Sequence, residues 1–366
     1  MAHRTTLRDI AHEVGVSVTT VSLVLNNRLA RVSDETRAQI LETAKRLRYV
    51  PNQNARSLLT KRTMLIALIV PDIENLFFAA LARCLEESCQ AAGYELVIAN
   101  SNDRRAVERD LLQHVVARGV DGLFLIPARE SYADEVGLRE DVRRVPCPVT
   151  LIDRLVSAQW CDGAGFDNVL GGALAARRLL EAGHTRIGCI SGDGREGSAN
   201  RRRRGFADVL EQAGVPLESV LDVAGDYRFA GGYAATAAMV DYGATGVFCC
   251  NDLMAMGLLR GLRERGLSVP ADMSVIGYDN IMERFGIQIE VTTVEQDVAQ
   301  LARAAWELLS VRIGAPGEGH PWLAAPRPRV LAPCLVARGS VRALRWPLYG
   351  VCSAWLCRWG VRHADS

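Results

Sequence analysis

The chain has 366 residues, too long for one ordinary domain and suited to two or three. Hydrophobic residues make up 49% and charged ones 23%, which is enough to bury real cores and argues against global disorder. The net charge of +1 points to no partner, but residues 1–62 hold eleven Lys/Arg against five Asp/Glu, a local +6 that leaves −5 on the rest. A basic head on a mildly acidic body suggests a nucleic-acid module joined to something else.

Thr6 precedes Leu7-Arg8-Asp9-Ile10-Ala11-His12-Glu13-Val14, and Asp9 stands three residues on, so a capped short helix is expected. Gly15-Val16-Ser17 then breaks the chain and restarts it: Gly15 suits a positive φ, and Ser17 can cap the next helix. The second helix, 18–26, hides Val21, Val24 and Leu25 and leaves Val18, Thr19, Ser22 and Leu23 on or beside the other face. A third, 34–47, begins after Ser33 with Ile40, Leu41, Ala44 and Leu47 inward. Three helices could serve a protein partner. The tight turn, the small outward residues and the basic charge favour DNA.

The stretch Thr6-Leu7-Arg8-Asp9-Ile10-Ala11 through Val16-Ser17-Val18-Thr19-Thr20-Val21-Ser22, then Tyr49-Val50-Pro51-Asn52 and Ala55-Arg56-Ser57-Leu58, resembles the LacI/GalR repressors. The resemblance implies a helix-turn-helix head of the lambda-repressor-like kind, residues 1–50, whose second helix enters the major groove of a double-stranded operator. Val18, Thr19 and Leu23 fall at its base-reading positions, and Thr5, Thr20 and Asn26 at further DNA-contacting ones. Several relatives carry Arg or His where Leu23 stands. Leucine cannot read guanine by paired hydrogen bonds, but it can pack on a thymine methyl. Residues 51–62 are too short and polar to be a stable helix alone. The resemblance makes them a hinge helix that orders on DNA, with Ala55 and Arg56 at the minor groove and Leu58 as the wedge between base steps. A plain linker is the alternative.

From residue 63 onward, short apolar runs alternate with amphipathic segments. Runs 64–70, 96–99, 123–126 and 149–152 read as buried strands, with helical spacing over 78–92 and 105–118. The pattern recurs in runs 187–190, 220–224, 247–250 and 275–278, separated by helical stretches 203–213, 230–240 and 254–265. Alternation of this kind means parallel sheets covered by helices, and two sets of four strands suggest two doubly wound lobes. Ligands bind such folds beyond the strands' carboxyl ends, so the cleft between lobes is the expected site.

The resemblance extends to about residue 341, through Pro71-Asp72-Ile73-Glu74-Asn75, Val120-Asp121-Gly122, Cys250-Asn251-Asp252 and Gly277-Tyr278-Asp279-Asn280 among others. It implies a periplasmic-binding-protein fold over 63–341, three crossings between lobes, and a helix near 298–309 that returns to the first lobe. Phe77, Phe78 and Asp153 from one lobe, with Arg202, Tyr227, Asn251 and Asp279 from the other, match effector-contacting positions. Carboxylates, an amide and a guanidinium suit the hydroxyls of a polyol, and an aromatic ring packs on a sugar face. A nucleobase is the family's other ligand class. Asp167 and Gly171-Gly172 could simply cap and pack a helix.

Two rivals are weaker. Gly192-Asp193-Gly194-Arg195-Glu196-Gly197 is formally G-x-G-x-x-G after a strand, but a dinucleotide enzyme wants an acidic residue ending the next strand about 20 residues later. That window instead holds a helix around Asp208 and Glu211. An exported sugar-binding protein shares the body but needs a leader, and Met1-Ala2-His3-Arg4-Thr5-Thr6 has no apolar signal core. No apolar run approaches the ~18 residues of a membrane span, so a cytoplasmic chain with no membrane partner is expected. Ten scattered cysteines without C-x-x-C read as reduced, buried thiols. No P-loop, nucleophile elbow or H-E-x-x-H occurs, so no catalytic group, metal or cofactor is expected. Arg201 to Arg204 should divide between cleft and solvent. Residues 342–366 form an atypical tail with three of the six tryptophans, and the expectation is that the fold gives it no place. Together these features describe a ligand-responsive transcription regulator, a repressor that holds a near-palindromic operator as a homodimer, since one head touches too few bases for specificity.

Overall fold

The computed structural model describes residues 5–25, 29–49, 62–155, 160–192, 197–288, 290–314, 326–344 and 362–363. The chain divides into two units, Met1–Thr63 and Met64–Ser366.

The first unit holds α1 (Leu7–Val14), α2 (Val18–Leu25) and α3 (Asp34–Arg46). The Asp9 carboxylate accepts from the Thr6 backbone N–H at 2.7 Å and from the Thr6 hydroxyl at 2.9 Å, closing the start of α1. Gly15 takes φ 73°, and Ser17 Oγ accepts from Thr20 N–H at 3.0 Å to cap α2. Ile10, Ala11, Val21, Val24, Ile40 and Ala44 form the core, with Leu25 and Leu47 partly buried against it. Leu41 departs from expectation: it is 50% exposed, and Thr43 is buried instead. At about 100° per residue Leu41 lies about 100° from Ile40, whereas Thr43 lies only about 60° from it on the other side, nearer the buried face.

In the second unit β1 (Leu65–Val70), β2 (Glu95–Asn100), β3 (Gly122–Leu125), β4 (Val149–Ile152), β5 (Asp162–Phe166) and the late β11 (Pro328–Leu331) make one sheet, ordered β11-β5-β4-β3-β1-β2 and parallel throughout. A second sheet runs β13-β12-β10-β9-β8-β6-β7. Its strands are β6 (Ile187–Ser191), β7 (Leu221–Ala224), β8 (Gly246–Cys249), β9 (Ser274–Asp279), β10 (Thr292–Glu295), β12 (Cys334–Ala337) and β13 (Arg362–His363). Here β12 alone among the described ladders pairs antiparallel, to β10. The sheets therefore have six and seven strands rather than four each. The apolar cores of β1, β3, β4, β6, β8 and β9 were enough to reveal them, while Gly163 and Gly165 in β5 and Thr292 and Thr293 in β10 hide theirs.

Helices α4 (Leu76–Ala91), α5 (Arg105–Ala117), α6 (Glu130–Ala133) and α7 (Glu135–Arg143) belong to the first lobe. In the second are α8 (Asn168–Glu181), α9 (Ser198–Gln212), α10 (Phe229–Tyr242) and α11 (Asp252–Glu264). The chain passes between sheets after β5, after β10 and between β11 and β12. Helix α12 (Val298–Gly314) returns to the first lobe, where Val298, Leu301, Ala305 and Leu309 join Phe78, Leu81 and Phe124 in one core. Leu112, Val115, Leu138 and Val142 cover the sheet's other face.

Asp167 accepts from Val169 N–H and Leu170 N–H, capping α8. Glycines then let α8 and α9 touch: a Cβ at Gly172 would strike the Arg202 carbonyl, and one at Gly205 the Val169 carbonyl. Gly205→Ala should force this pair apart and lower stability by about 1–3 kcal/mol, the ordinary cost of overpacking. A lowered thermal midpoint checks it, and an unchanged one would contradict so close a contact.

Cys89, Cys147, Cys161, Cys189, Cys249 and Cys250 are buried free thiols, whereas Cys84 and Cys334 are only half-buried, against expectation. The tail differs from expectation. Leu344 N–H donates to the Ala182 carbonyl at 2.7 Å, and Arg362–His363 adds a parallel strand to β12, so the fold does receive part of it. Backbone hydrogen-bonding groups on an open strand edge suffice for such a contact, whatever the side chains.

Candidate functional site

Every strand of a parallel sheet ends by pointing its following loop to one side, and here the two lobes aim those loops at each other. Between them lies a cavity of about 590 Å³. Its wall includes Phe77 and Phe78 from the first turn of α4, Asp153 beyond β4, Arg202 from α9, Tyr227 beyond β7, Asn251 at the start of α11 and Asp279 ending β9. All seven residues singled out in the sequence thus meet at one place.

Arg202 is buried and anchored through Nε and Nη1. Its Nε donates to Asn168 Oδ1 at 2.7 Å and its Nη1 to the Cys250 carbonyl at 2.6 Å. Nη1 also lies 3.6 Å from Asp279 Oδ1, and the guanidinium stands 3.7 Å over the Tyr278 ring. Asp279 Oδ1 accepts from Gln296 Nε2 at 2.9 Å. Burial pushes the Asp279 carboxyl up to about 8 although Arg202 opposes the rise. Asn251 is largely spent on structure: its Oδ1 caps α11 by accepting from Met254 N–H at 2.9 Å, and its Nδ2 donates to the Tyr227 carbonyl at 2.8 Å. One amide hydrogen is left to face the cavity. The backbone at Asp153, Tyr227 and Asp279 has φ of 61°, 62° and 104°, a conformation side chains avoid without a compensating purpose.

The wall also carries Asp153 Oδ1, buried without a protein partner, and the buried hydroxyls of Tyr132 and Ser198, which lie near each other without a well-formed hydrogen bond. Burial raises the Asp153 pKa against the pull of Arg202, Arg154 and Arg201. Such poorly satisfied groups cost free energy unless water or a ligand meets them. Phe77 and Phe78 pack edge to face, 5.7 Å between centroids, and supply the apolar side.

Sequence reasoning missed Asn102, Asp103, Arg129, Tyr132, Arg154, Ser198 and Arg228, all on the same wall. Asp103 holds Arg154 at 2.5 Å and Arg129 at 2.6 Å, fixing two cations in the first lobe. Arg228 of the second lobe reaches Asp72 at 2.6 Å and Glu74 at 3.1 Å in the first, across the mouth. Most of these residues stand a few places past a strand's end, so inspecting the loop after every strand would have found them. The arginine run divides as expected: Arg201 donates across to the Leu155 carbonyl, Arg202 faces the cavity, and Arg203 and Arg204 pair outside with Asp222 and Asp208. Of the formal glycine motif, residues 193–196 lie outside the described residues. Asp208 and Glu211 fall on α9, not at a strand end.

In the head, Val18 and Thr19 are exposed and Thr20 and Leu23 half-buried on α2. The Thr5 hydroxyl is turned to the Leu47 carbonyl at 2.9 Å. Asn26, Ala55, Arg56 and Leu58, with the expected hinge helix, lie outside the described residues. Among the described residues no helix is long and apolar enough to cross a membrane.

Residues 6–52 match the family described as bacterial regulatory proteins, lacI family, and residues 176–341 the periplasmic binding protein-like domain. The chain is 34% identical over 350 residues to the HTH-type transcriptional repressor PurR of Yersinia pestis (strain Pestoides F), covering 93% of this chain and 99% of that one. It is 34% identical over 299 residues to the HTH-type transcriptional regulator DegA of Bacillus subtilis (strain 168), covering 81% and 88%. Among solved structures it is similar to a LacI family transcriptional regulator from Enterococcus faecium with bound ribose, at TM-score 0.67 and 30% identity over 77% of this chain and 100% of the other.

Proposed function

This chain belongs to the lacI family of bacterial regulatory proteins, and from that premise we propose that it represses transcription from a near-palindromic operator under the control of a sugar-like effector. The head supplies the DNA contact, with Val18, Thr19 and Leu23 toward the bases and Thr5, Thr20, Asn26, Ala55, Arg56 and Leu58 around them. A homodimer brings two heads to one site. The regulator works where the chromosome is, in the cytoplasm. In this division residues 1–50 read DNA, 51–62 act as hinge and 63–341 bind the effector and pair the subunits.

The observation that carries the effector reading is the set of poorly satisfied polar groups in the cavity. Asp153 Oδ1 stands unpaired and the Tyr132 and Ser198 hydroxyls have only each other, on the wall that also carries Phe77 and Phe78. A ring bearing several hydroxyls satisfies the first group and lays its C–H face on the second. The relative with bound ribose supports the same class. A nucleobase is the second reading, favoured by the planar rings of Phe77, Phe78 and Tyr227 on the wall.

A thermal-shift screen of the full chain against sugars, sugar acids, nucleosides and nucleobases separates the two, since a ligand that binds only the folded state raises the melting point. The hit is then added to an operator-retardation assay. Stabilisation by no sugar overturns the first reading, and a hit without any effect on DNA retardation overturns effector control.

A further inference from the structure

Helix α2, the element that family membership places against the bases, consists of Val18-Thr19-Thr20-Val21-Ser22-Leu23-Val24-Leu25. It contains no Arg, Lys, Asn, Gln, Asp or Glu. Val21 and Val24 are buried in the head core, and Leu25 packs partly against it. The Thr20 hydroxyl lies 2.9 Å from Ser17 Oγ, within the cap that starts the helix. What remains toward solvent is Val18, 39% exposed, the exposed Thr19 and the flanks of the half-buried Ser22 and Leu23.

Those side chains restrict how a base can be recognised. Guanine is distinguished by paired donors from Arg or Lys to O6 and N7, and adenine by the amide of Asn or Gln at N6 and N7. Helix α2 offers neither. Its outward surface is methyl groups plus the hydroxyls of Thr19 and Ser22, each a single donor and acceptor group with no paired geometry that singles out one base. On the floor of the major groove one apolar group exists to meet methyls: the 5-methyl of thymine.

We propose that this helix selects thymine by its 5-methyl group, with Val18 and Leu23 as the specificity-determining residues, so that the bases beneath it are recognised by apolar packing instead of paired hydrogen bonds. This rests on the operator-binding reading above. Affinity then comes from phosphate contacts elsewhere in the basic head, and the helix contributes discrimination.

The test uses the full-length chain. A preferred duplex is first selected from a randomised palindromic library. Each thymine of the half-site is then replaced by uracil, which loses the methyl and keeps every hydrogen-bonding group. Affinity should fall about fourfold for one methyl under Val18 or Leu23, the worth of one buried methyl, and about fifteenfold when both half-sites are changed. Placing 5-methylcytosine where unmodified cytosine is rejected should recover part of the binding. Leu23→Arg should lose the uracil effect at its own position and gain preference for guanine there, with non-specific binding retained. A selected half-site read at guanine by the wild-type helix, or a uracil duplex bound as tightly as the thymine one, overturns the proposal while leaving operator binding intact. Selection that enriches no sequence overturns the operator reading itself, and this proposal with it.

Discussion

Asp162→Ala should lower the free energy of unfolding by about 3–5 kcal/mol, the usual cost of removing one partner from a buried ion-pair cluster. Asp162 opens β5 and is fully buried. It accepts from Arg312 Nε at 2.9 Å and Nη2 at 3.1 Å, and from Arg327 N–H at 2.9 Å and Nη2 at 2.8 Å. One carboxylate thus fastens α12 and the approach to β11 onto the first sheet. Alanine leaves two guanidinium groups facing each other. The effect should fall toward the lower figure because Arg327 keeps about a third of its side chain in water, at 38% exposure. Urea denaturation measures it directly, and a midpoint equal to wild type would show the cluster to be dispensable.

The same residue predicts a pH dependence. Burial alone would raise the Asp162 pKa, but the hydrogen bonds from Arg312 and Arg327 outweigh it, and the net shift is downward from 3.8. A depressed carboxylate stabilises the fold at every pH above its ordinary value and loses that contribution as pH falls through the folded value. The stability gap between wild type and Asp162→Asn should therefore stay constant from neutrality down to about pH 5 and narrow below pH 4. A gap that grows on acidification would reverse the sign and refute the assignment.

The second large effect is expected at Asp279. Asp279→Ala should weaken effector binding by about ten- to a hundredfold, the range for leaving polar ligand groups unpaired in a dry site, while operator affinity without effector is preserved. Arg202 keeps its hydrogen bonds to Asn168 and the Cys250 carbonyl in this variant, so its guanidinium stays anchored in the wall. Arg202→Ala is harsher, because Asp279 and Asn168 each lose one of their partners. An effector can shift DNA binding only by its different affinity for two lobe arrangements. The variant's effector titration against a fixed operator is the measurement, and an unchanged midpoint would assign Asp279 to packing alone.

Much of this architecture was legible because buried parallel strands carry unbroken apolar runs, as in Leu65–Val70 and the Val247-Phe248-Cys249 centre of β8. Less of the site was. Resemblance supplied Phe77, Phe78, Asp153, Arg202, Tyr227, Asn251 and Asp279, and the structure gathers them on one wall. It could not say that Asn251 is mostly consumed by capping, which depends on where α11 begins. Nor could it separate Tyr132 or Ser198 from any other surface hydroxyl, because their interest comes from being buried together on the cavity wall. Strand β5 escaped notice for a related reason: Asp162-Gly163-Ala164-Gly165-Phe166 has no β-branched residue, and its pairing on both sides decides its conformation.

The late return of the chain to its first lobe bears on synthesis. Sheet one closes only with β11, and the face that α4 covers in part is completed only by α12, both encoded after the whole of α11 and β9. A ribosome that has released the first lobe's five early strands has made an object still open along β5, with Phe78, Leu81 and Phe124 short of the residues that seal them. Until Leu331 emerges that surface is available to other nascent chains or to chaperones. Neither lobe, expressed as one continuous fragment, is equivalent to its counterpart in the finished protein, and premature termination just short of β11 should be cleared as an aggregation hazard instead of persisting as a shorter regulator.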